Sequence, residues 1–388
     1  MKILLFANTD WYLYNFRRSL ALALREAGHE VLLVSPPGPY GARLQALGFR
    51  WIAAPMDRRS LNPLRELALL GWLRRLVHEE QVDLVHGFTI KCAVYGSLAA
   101  RLAQVPARVN AVAGMGYVFT SQDLKARLLR PLVRTLMRLA LDGRGSRLIL
   151  QNPDDVALFR NAGLVQPERV RLIPGSGVDC QRFAPLGSPG EQHQGRATGS
   201  ARLRVVLPAR LLWDKGLAEF VEAARLLRAE GRPIDFWVAG EPDPGNPAAV
   251  PENTVRSWVS EGLVHWLGHV EDMPTLFRTV DVVALPSYRE GLPKGLIEAG
   301  ASGLPLITTD VPGCREVVTD GQDGLLVPAR DAKALARAIA RLHEDPALRQ
   351  RLGAAARRKA LAEFDERIVI ARTLGVYQEL LPRLAAAC

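Results

Sequence analysis

Short apolar runs alternate with amphipathic stretches along the whole chain. In the first half the pattern predicts strands at Lys2–Phe6, Glu30–Val34, Trp51–Ala53, Leu84–His86, Val109–Val112 and Arg147–Leu150. Between them it predicts helices at Tyr14–Glu26, Gly41–Leu47, Pro63–Glu79, Ala93–Ala103, Leu124–Leu141 and Pro153–Ala162. The second half repeats the scheme. Strands are expected at Leu203–Pro208, Asp235–Ala239, Val264–Leu267, Val282–Leu285, Leu304–Thr308 and Gly324–Val327, with helices at Leu217–Glu230, at Lys294–Ala301 and from Asp331 onward. Strands alternating with helices predict parallel, doubly wound sheets, an α/β class. Such sheets bind ligands at the carboxyl ends of their strands.

With 388 residues the chain suits two domains. A Gly-, Ser-, Gln- and Pro-rich stretch within 185–201 reads as an exposed linker between a domain over 1–184 and one over 202–362. Composition is that of a soluble globular protein, 48% hydrophobic and 23% charged. No apolar run approaches the ~20 residues of a membrane span, and the opening MKILLFAN reads as a strand rather than a signal peptide. Four scattered cysteines, Cys92, Cys180, Cys314 and Cys388, make neither a disulfide framework nor a zinc site and suit a reducing compartment. Net charge is +10, and all the excess lies early: residues 1–178 hold 24 Lys and Arg against 13 Asp and Glu, the remainder 26 against 27. The first half should therefore meet an anionic partner such as a membrane surface or a pyrophosphate.

The most informative stretch is Ser287–Thr309, SYREGLPKGLIEAGASGLPLITT. It reads as a tight loop after one buried strand, a short helix and the next strand. Glu290 lies in the loop and Glu298 in the helix, with seven residues between them. The helix start between them, Gly291-Leu292-Pro293-Lys294, offers unpaired N–H groups and a partial positive charge, a ready seat for a diphosphate. A nucleotide-sugar fits this layout, with sugar at Glu290, diphosphate at the helix start and ribose at Glu298. Two unrelated surface acids would give the same letters. Arg210 and Lys215, flanking the loop after strand Leu203–Pro208, favour the joint reading by supplying cations for a departing diphosphate.

Three loops of the first half are candidate acceptor sites. Asn8–Arg17 holds Asn15 and Arg17 in an aromatic setting and contains no G-x-G-x-x-G; it reads equally as a ligand loop or as a hydrophobic staple. Asp83–Lys91 brings His86 to a strand end and Lys91 to a helix start, where Lys91 suits an acceptor phosphate and His86 suits either a structural or a catalytic role. Ala113–Tyr117 offers Gly114, Gly116 and Tyr117, as a ligand loop or as an ordinary turn. Leu124–Leu141, with Lys125, Arg127, Arg130, Arg134 and Arg138 among leucines, reads as a solvated helix or as a membrane-surface helix.

At EGLPKGLIEAGASGLPLI the sequence resembles the E-x7-E signature of the retaining nucleotide-sugar glycosyltransferases of family 4. The spacing Arg210-x4-Lys215 resembles that family's diphosphate-binding pair, and RLIPGSGVDCQRF resembles its I-P-N-G-V-D…F segment, departing at Gly175 and Ser176. The resemblance implies the GT-B fold, two Rossmann-like doubly wound parallel-sheet domains facing a central cleft, with residues 363–388 crossing back to the first domain and Phe364 and Tyr377 placed to anchor that crossing. It implies that Glu290 approaches the donor sugar and Glu298 holds the ribose. The sets NFR, FTIK-x3-YGSLAA and GMGYVF resemble a subgroup that extends polyprenyl-diphosphate-linked sugars, one of whose activities is N-acetylgalactosaminyl transfer.

The function expected is retaining transfer of a hexosyl or N-acetylhexosaminyl group from a UDP-linked sugar to a lipid-linked saccharide. Glu290, Arg210, Lys215 and His86 would carry it. The alternatives are a GT-B enzyme with a soluble acceptor and a sugar-nucleotide-binding scaffold without turnover. No Asp-x-Asp, G-x-x-x-x-G-K-[ST] or G-x-S-x-G occurs, so no metal, cofactor or covalent serine is expected, nor any nucleic-acid partner. The expected place is the cytoplasm, peripheral at the inner face of the cell membrane.

Overall fold

The computed structural model describes residues 1–57, 60, 62–112, 124–185, 202–243 and 245–381, with the backbone alone for 124–130 and 132. The chain divides into two compact units, Met1–Gly177 with the chain from Arg367 onward, and Val178–Glu366. Most of the stretch expected as a linker lies outside the described residues.

The first unit carries seven parallel strands: β1 (Lys2–Phe6), β2 (Glu30–Ser35), β3 (Arg50–Ala53), β4 (Leu84–Phe88), β5 (Ala107–Val112), β6 (Ser146–Leu150) and β7 (Val170–Leu172). Their order across the sheet is β3-β2-β1-β4-β5-β6-β7. The second unit carries six parallel strands: β8 (Leu203–Pro208), β9 (Ile234–Ala239), β10 (His265–Trp266), β11 (Val282–Leu285), β12 (Leu306–Thr309) and β13 (Leu325–Val327). They are ordered β10-β9-β8-β11-β12-β13. Both sheets are thus doubly wound around a central pair, β1/β4 and β8/β11.

The apolar runs are continuous because helices cover both faces of each sheet. In β1, Ile3 and Leu5 join one core, while Leu4 and Phe6 join the core on the opposite face, the two-residue period of a strand. The helix Glu366–Leu380 supplies Val369, Val376 and Tyr377 to the first of these cores. Val178 pairs with the backbone of Phe364 and Glu366 through two bonds of 2.9 Å, within the second unit. No helix among the described residues is long and apolar enough to cross a membrane.

Two local features depart from the sequence reading. The helix expected from Tyr14 starts at Asp10, where the Thr9 hydroxyl accepts from Tyr12 N at 3.1 Å. It then widens into a π turn over Leu13–Arg17 before resuming at Arg18–Glu26. Strand β7 was not expected, because three residues with Arg171 at the centre carry no apolar pattern.

Candidate functional site

In the second unit β8 lies beside β11, and the strand order reverses between them. Ligands of open α/β sheets sit at such switch points, outside the carboxyl ends. The loop after β8 carries Arg210 and Lys215, and the loop after β11 carries Ser287 to Glu290. The backbone welds these loops together. Tyr288 N donates to Asp214 O at 2.9 Å. Gly216, at φ 74°, lies so close that a Cβ there would stand 2.1 Å from Pro286 O. Glu290 N donates to Pro312 O at 3.1 Å. Thr309 Oγ1 donates to Ser287 O from beneath.

This scaffold fixes one carboxylate. Lys215 Nζ lies 2.5 Å from Glu290 Oε1, and Ser287 Oγ donates to the same oxygen at 2.7 Å. Both partners of the ion pair are largely enclosed, with side chains 19% and 11% exposed. Arg210 turns outward instead, and its Nη1 donates to Asp243 Oδ2 at 2.7 Å. Asp243 belongs to the loop after β9, whose Gly240 presses on Ala209 of the loop after β8.

The helix expected between the two acids forms over Lys294–Ala301, and no side chain caps its start. Glu298 lies on it, 3.5 Å from Lys294. Burial pushes the Glu298 carboxyl above the usual range, and the neighbouring Lys294 opposes that shift. The structure therefore gathers Lys215, an open helix start and an enclosed carboxylate around one switch point, and turns Arg210, on the same loop as Lys215, outward to Asp243. Ser287 and Asp243 were missed by sequence reasoning. The S-x-x-E spacing of Ser287 and Glu290 was the available signal for the first; Asp243 had none. Tyr288 was missed too. Its hydroxyl donates to the Glu219 carboxylate at 2.8 Å, and its ring lies 4.4 Å below the Arg330 guanidinium.

The first-unit candidates are placed unequally. Gly114, Gly116 and Tyr117 lie outside the described residues. Asn15 Nδ2 donates to Trp11 O at 3.0 Å. Lys91 Nζ is taken up inside the unit by Asp57 O at 2.7 Å, Ser60 O at 3.1 Å and Glu66 Oε1 at 2.7 Å. An ammonium has three donors, so all are used, and a phosphate would have to displace one. His86 is 1% exposed, and its Nδ1 shares a 2.6 Å hydrogen bond with the Tyr377 hydroxyl. Burial, and then the nearby Arg17 charge, hold this histidine well below its ordinary pKa, so its ring is neutral. Arg17 is itself buried, with its guanidinium carbon 4.3 Å from the centre of the Phe88 ring.

Comparison with known proteins gives concordant matches. Residues 202–345 match the family model described as glycosyl transferases group 1, and residues 15–176 match the glycosyl transferase 4-like domain. The chain is 30% identical over 384 residues to the N,N'-diacetylbacillosaminyl-diphospho-undecaprenol alpha-1,3-N-acetylgalactosaminyltransferase of Campylobacter jejuni, covering 98% of this chain and 99% of that protein. It is 28% identical to the UDP-Gal:alpha-D-GlcNAc-diphosphoundecaprenol alpha-1,3-galactosyltransferase of Escherichia coli, covering 75% and 74%. Among solved structures, a glycosyltransferase of Rickettsia africae superposes with a TM-score of 0.78 at 19% identity, covering 98% of both chains. HepE of Anabaena, solved with UDP, gives 0.76 at 21% identity, covering 97% of this chain and 100% of that one.

Proposed function

Because the chain belongs to the group 1, family 4-like glycosyltransferases and has their GT-B fold, we propose that it transfers a hexosyl or N-acetylhexosaminyl group from a UDP-sugar to a sugar on a polyprenyl diphosphate, with retention of configuration. The observation that carries this reading is the Lys215–Glu290 pair at the β8/β11 switch point, beside an uncapped helix start. The acceptor class is that of the two diphospho-undecaprenol transferases named above, whose names print it.

The chemistry follows from charge. The bond from the anomeric carbon to the donor phosphate breaks, and its electron pair goes to the leaving diphosphate. Lys215, Arg210 and the first turn of the Lys294–Ala301 helix meet that growing charge. The acceptor hydroxyl forms the new bond, and its proton leaves with the diphosphate or to solvent. Glu290 orients the sugar and Glu298 accepts from the ribose hydroxyls. With three positive groups addressing the diphosphate, no metal ion is required. His86 keeps a positioning role, through Arg17, instead of touching the sugar. The excess positive charge of the first 178 residues would hold the protein against an anionic bilayer at the cytoplasmic face.

The test is a panel of UDP-, GDP- and dTDP-sugars scored by thermal shift, followed by transfer assays with a polyprenyl-diphosphate-linked sugar. A donor that binds the folded protein raises its melting temperature. Stabilisation by UDP-sugars with transfer to the lipid acceptor is expected. Transfer only to a soluble acceptor, or donor binding without turnover, would overturn the reading.

A further inference from the structure

Arg17 is short of partners. It is 6% exposed, and among the described residues its hydrogen-bond acceptor is a hydroxyl, not a carboxylate. One donor reaches the Tyr12 hydroxyl at 2.9 Å, the rings of Phe88 and Tyr12 lie at 4.3 and 5.4 Å, and its Nε is buried with no hydrogen-bond partner among the described residues. Ring faces return only part of what it costs to take an ion from water. The shortfall points to an absent anion.

The neighbourhood supports this. Phe88 ends β4, and the next residue, Thr89, has φ 70° and ψ 157°, a region that essentially only glycine enters. Thr89 precedes the thirteen-residue helix Ile90–Leu102, and its side chain does not cap that helix. The ring of His86 lies 4.0 Å from that of Phe88, and its Nε2 is also buried without a partner among the described residues. The π turn over Leu13–Arg17 swings Arg17 into this place. Strands β1 and β4 are neighbours, so the whole group sits at the switch point of the first sheet.

We infer that Arg17 is the cation of an anion site at the carboxyl ends of β1 and β4, completed by the start of the Ile90–Leu102 helix, and that this site takes the diphosphate of the lipid-linked acceptor. The acceptor assignment rests on the reading above; the anion site does not. A guanidinium resting on two neighbouring rings is held in one orientation, and its fork meets phosphate oxygens two at a time. Lys91, the other cation of this helix start, has no donor left to offer.

The binding test uses the full chain with UDP at saturation, and the kinetic test uses the UDP-sugar in its place. Inorganic pyrophosphate and farnesyl diphosphate should each raise the melting temperature of the unmodified protein and leave that of Arg17→Gln unmoved. Losing a charge-assisted bond of this kind should raise the acceptor KM of Arg17→Gln about 10- to 100-fold, with the donor KM held within about twofold. Arg17→Lys keeps the charge without the fork and should fall between, which covers the case of Arg17→Gln failing to fold. Equal stabilisation of unmodified and variant proteins, or an unchanged acceptor KM, would overturn the anion site. Stabilisation by pyrophosphate but not by farnesyl diphosphate would overturn the acceptor assignment and leave a site for free diphosphate. A protein that transfers no sugar, yet loses pyrophosphate binding in Arg17→Gln, would sink the transferase reading alone.

Discussion

Lys215 and Glu290, 75 residues apart in the chain, meet at 2.5 Å where the loops after β8 and β11 are bonded backbone to backbone. Each holds the other in place, so a change to one releases its partner. Glu290→Gln keeps the shape and the Ser287 hydrogen bond but deletes the charge. It should lower kcat at least 100-fold, the usual cost of one preorganised electrostatic group, with the melting temperature little changed. A Glu290→Gln protein with more than a tenth of normal turnover would show that the acid only braces the loop.

Glu298 sits on the helix that follows, partly enclosed beside Lys294. If it accepts from the ribose hydroxyls, Glu298→Gln should weaken donor binding about tenfold, the worth of one charge-assisted bond, and leave kcat within a few-fold. Measuring KM for the UDP-sugar separates the two parameters. A fall in kcat with KM unchanged would move Glu298 from the ribose to the reacting carbon.

The strand–helix alternation made the doubly wound sheets legible, because buried parallel strands advertise themselves as apolar runs. It could not make Lys215 and Glu290 neighbours, since that depends on β8 lying beside β11, an order set by how the sheet winds. Lys91 shows a second limit. Its place at a helix start suggested a phosphate ligand, while its three acceptors come from a carboxylate and two carbonyls 25 to 34 residues away, which no local pattern announces. Arg17 shows a third: a single wide turn decides whether it faces solvent or the Phe88 ring, and π turns have no sequence signature as plain as a cap or a glycine.

Gly216 carries the joint between the loops after β8 and β11. Its left-handed φ of 74° and the 2.1 Å approach to Pro286 O forbid any side chain. Gly216→Ala should cost about 1–3 kcal/mol of stability from backbone strain alone, more if the loops part, and should reduce activity beyond what lost folding explains. Urea unfolding together with kcat/KM on the folded fraction checks this. An unchanged midpoint would mean the loops are not pressed together as described.

In the proposed mechanism Lys215, Arg210 and a helix start meet the diphosphate charge, which leaves no work for a bridging cation. Transfer in excess chelator should therefore proceed within about twofold of the untreated rate, a difference of less than 0.5 kcal/mol in the barrier. A tenfold loss restored by Mg²⁺ would put a metal ion between the phosphates and reassign the cations to orientation.

His86 gives the fold a measurable pH dependence. Burial and the Arg17 charge hold its folded pKa well below the ordinary 6.5, while in the unfolded chain it titrates near that value. Below 6.5 the unfolded state binds a proton that the folded ring refuses. Stability is therefore full above pH 6.5 and falls as the pH drops, until the folded ring's own lower pKa is reached. One such group contributes up to about 1.4 kcal/mol per pH unit. His86→Gln should flatten the stability profile between pH 7.5 and 5.5 by about 1.4 kcal/mol over the whole window, whatever it does to the absolute value, and denaturant titrations at several pH values read the slope. His29 and His343 shift the same way from burial, so the unmodified protein keeps some slope in the variant. The difference between the two profiles isolates His86. Parallel profiles would mean that water, or a protonated ring bonded to Tyr377, already accommodates the charge inside the first unit, and the neutral histidine beside Arg17 would be wrong.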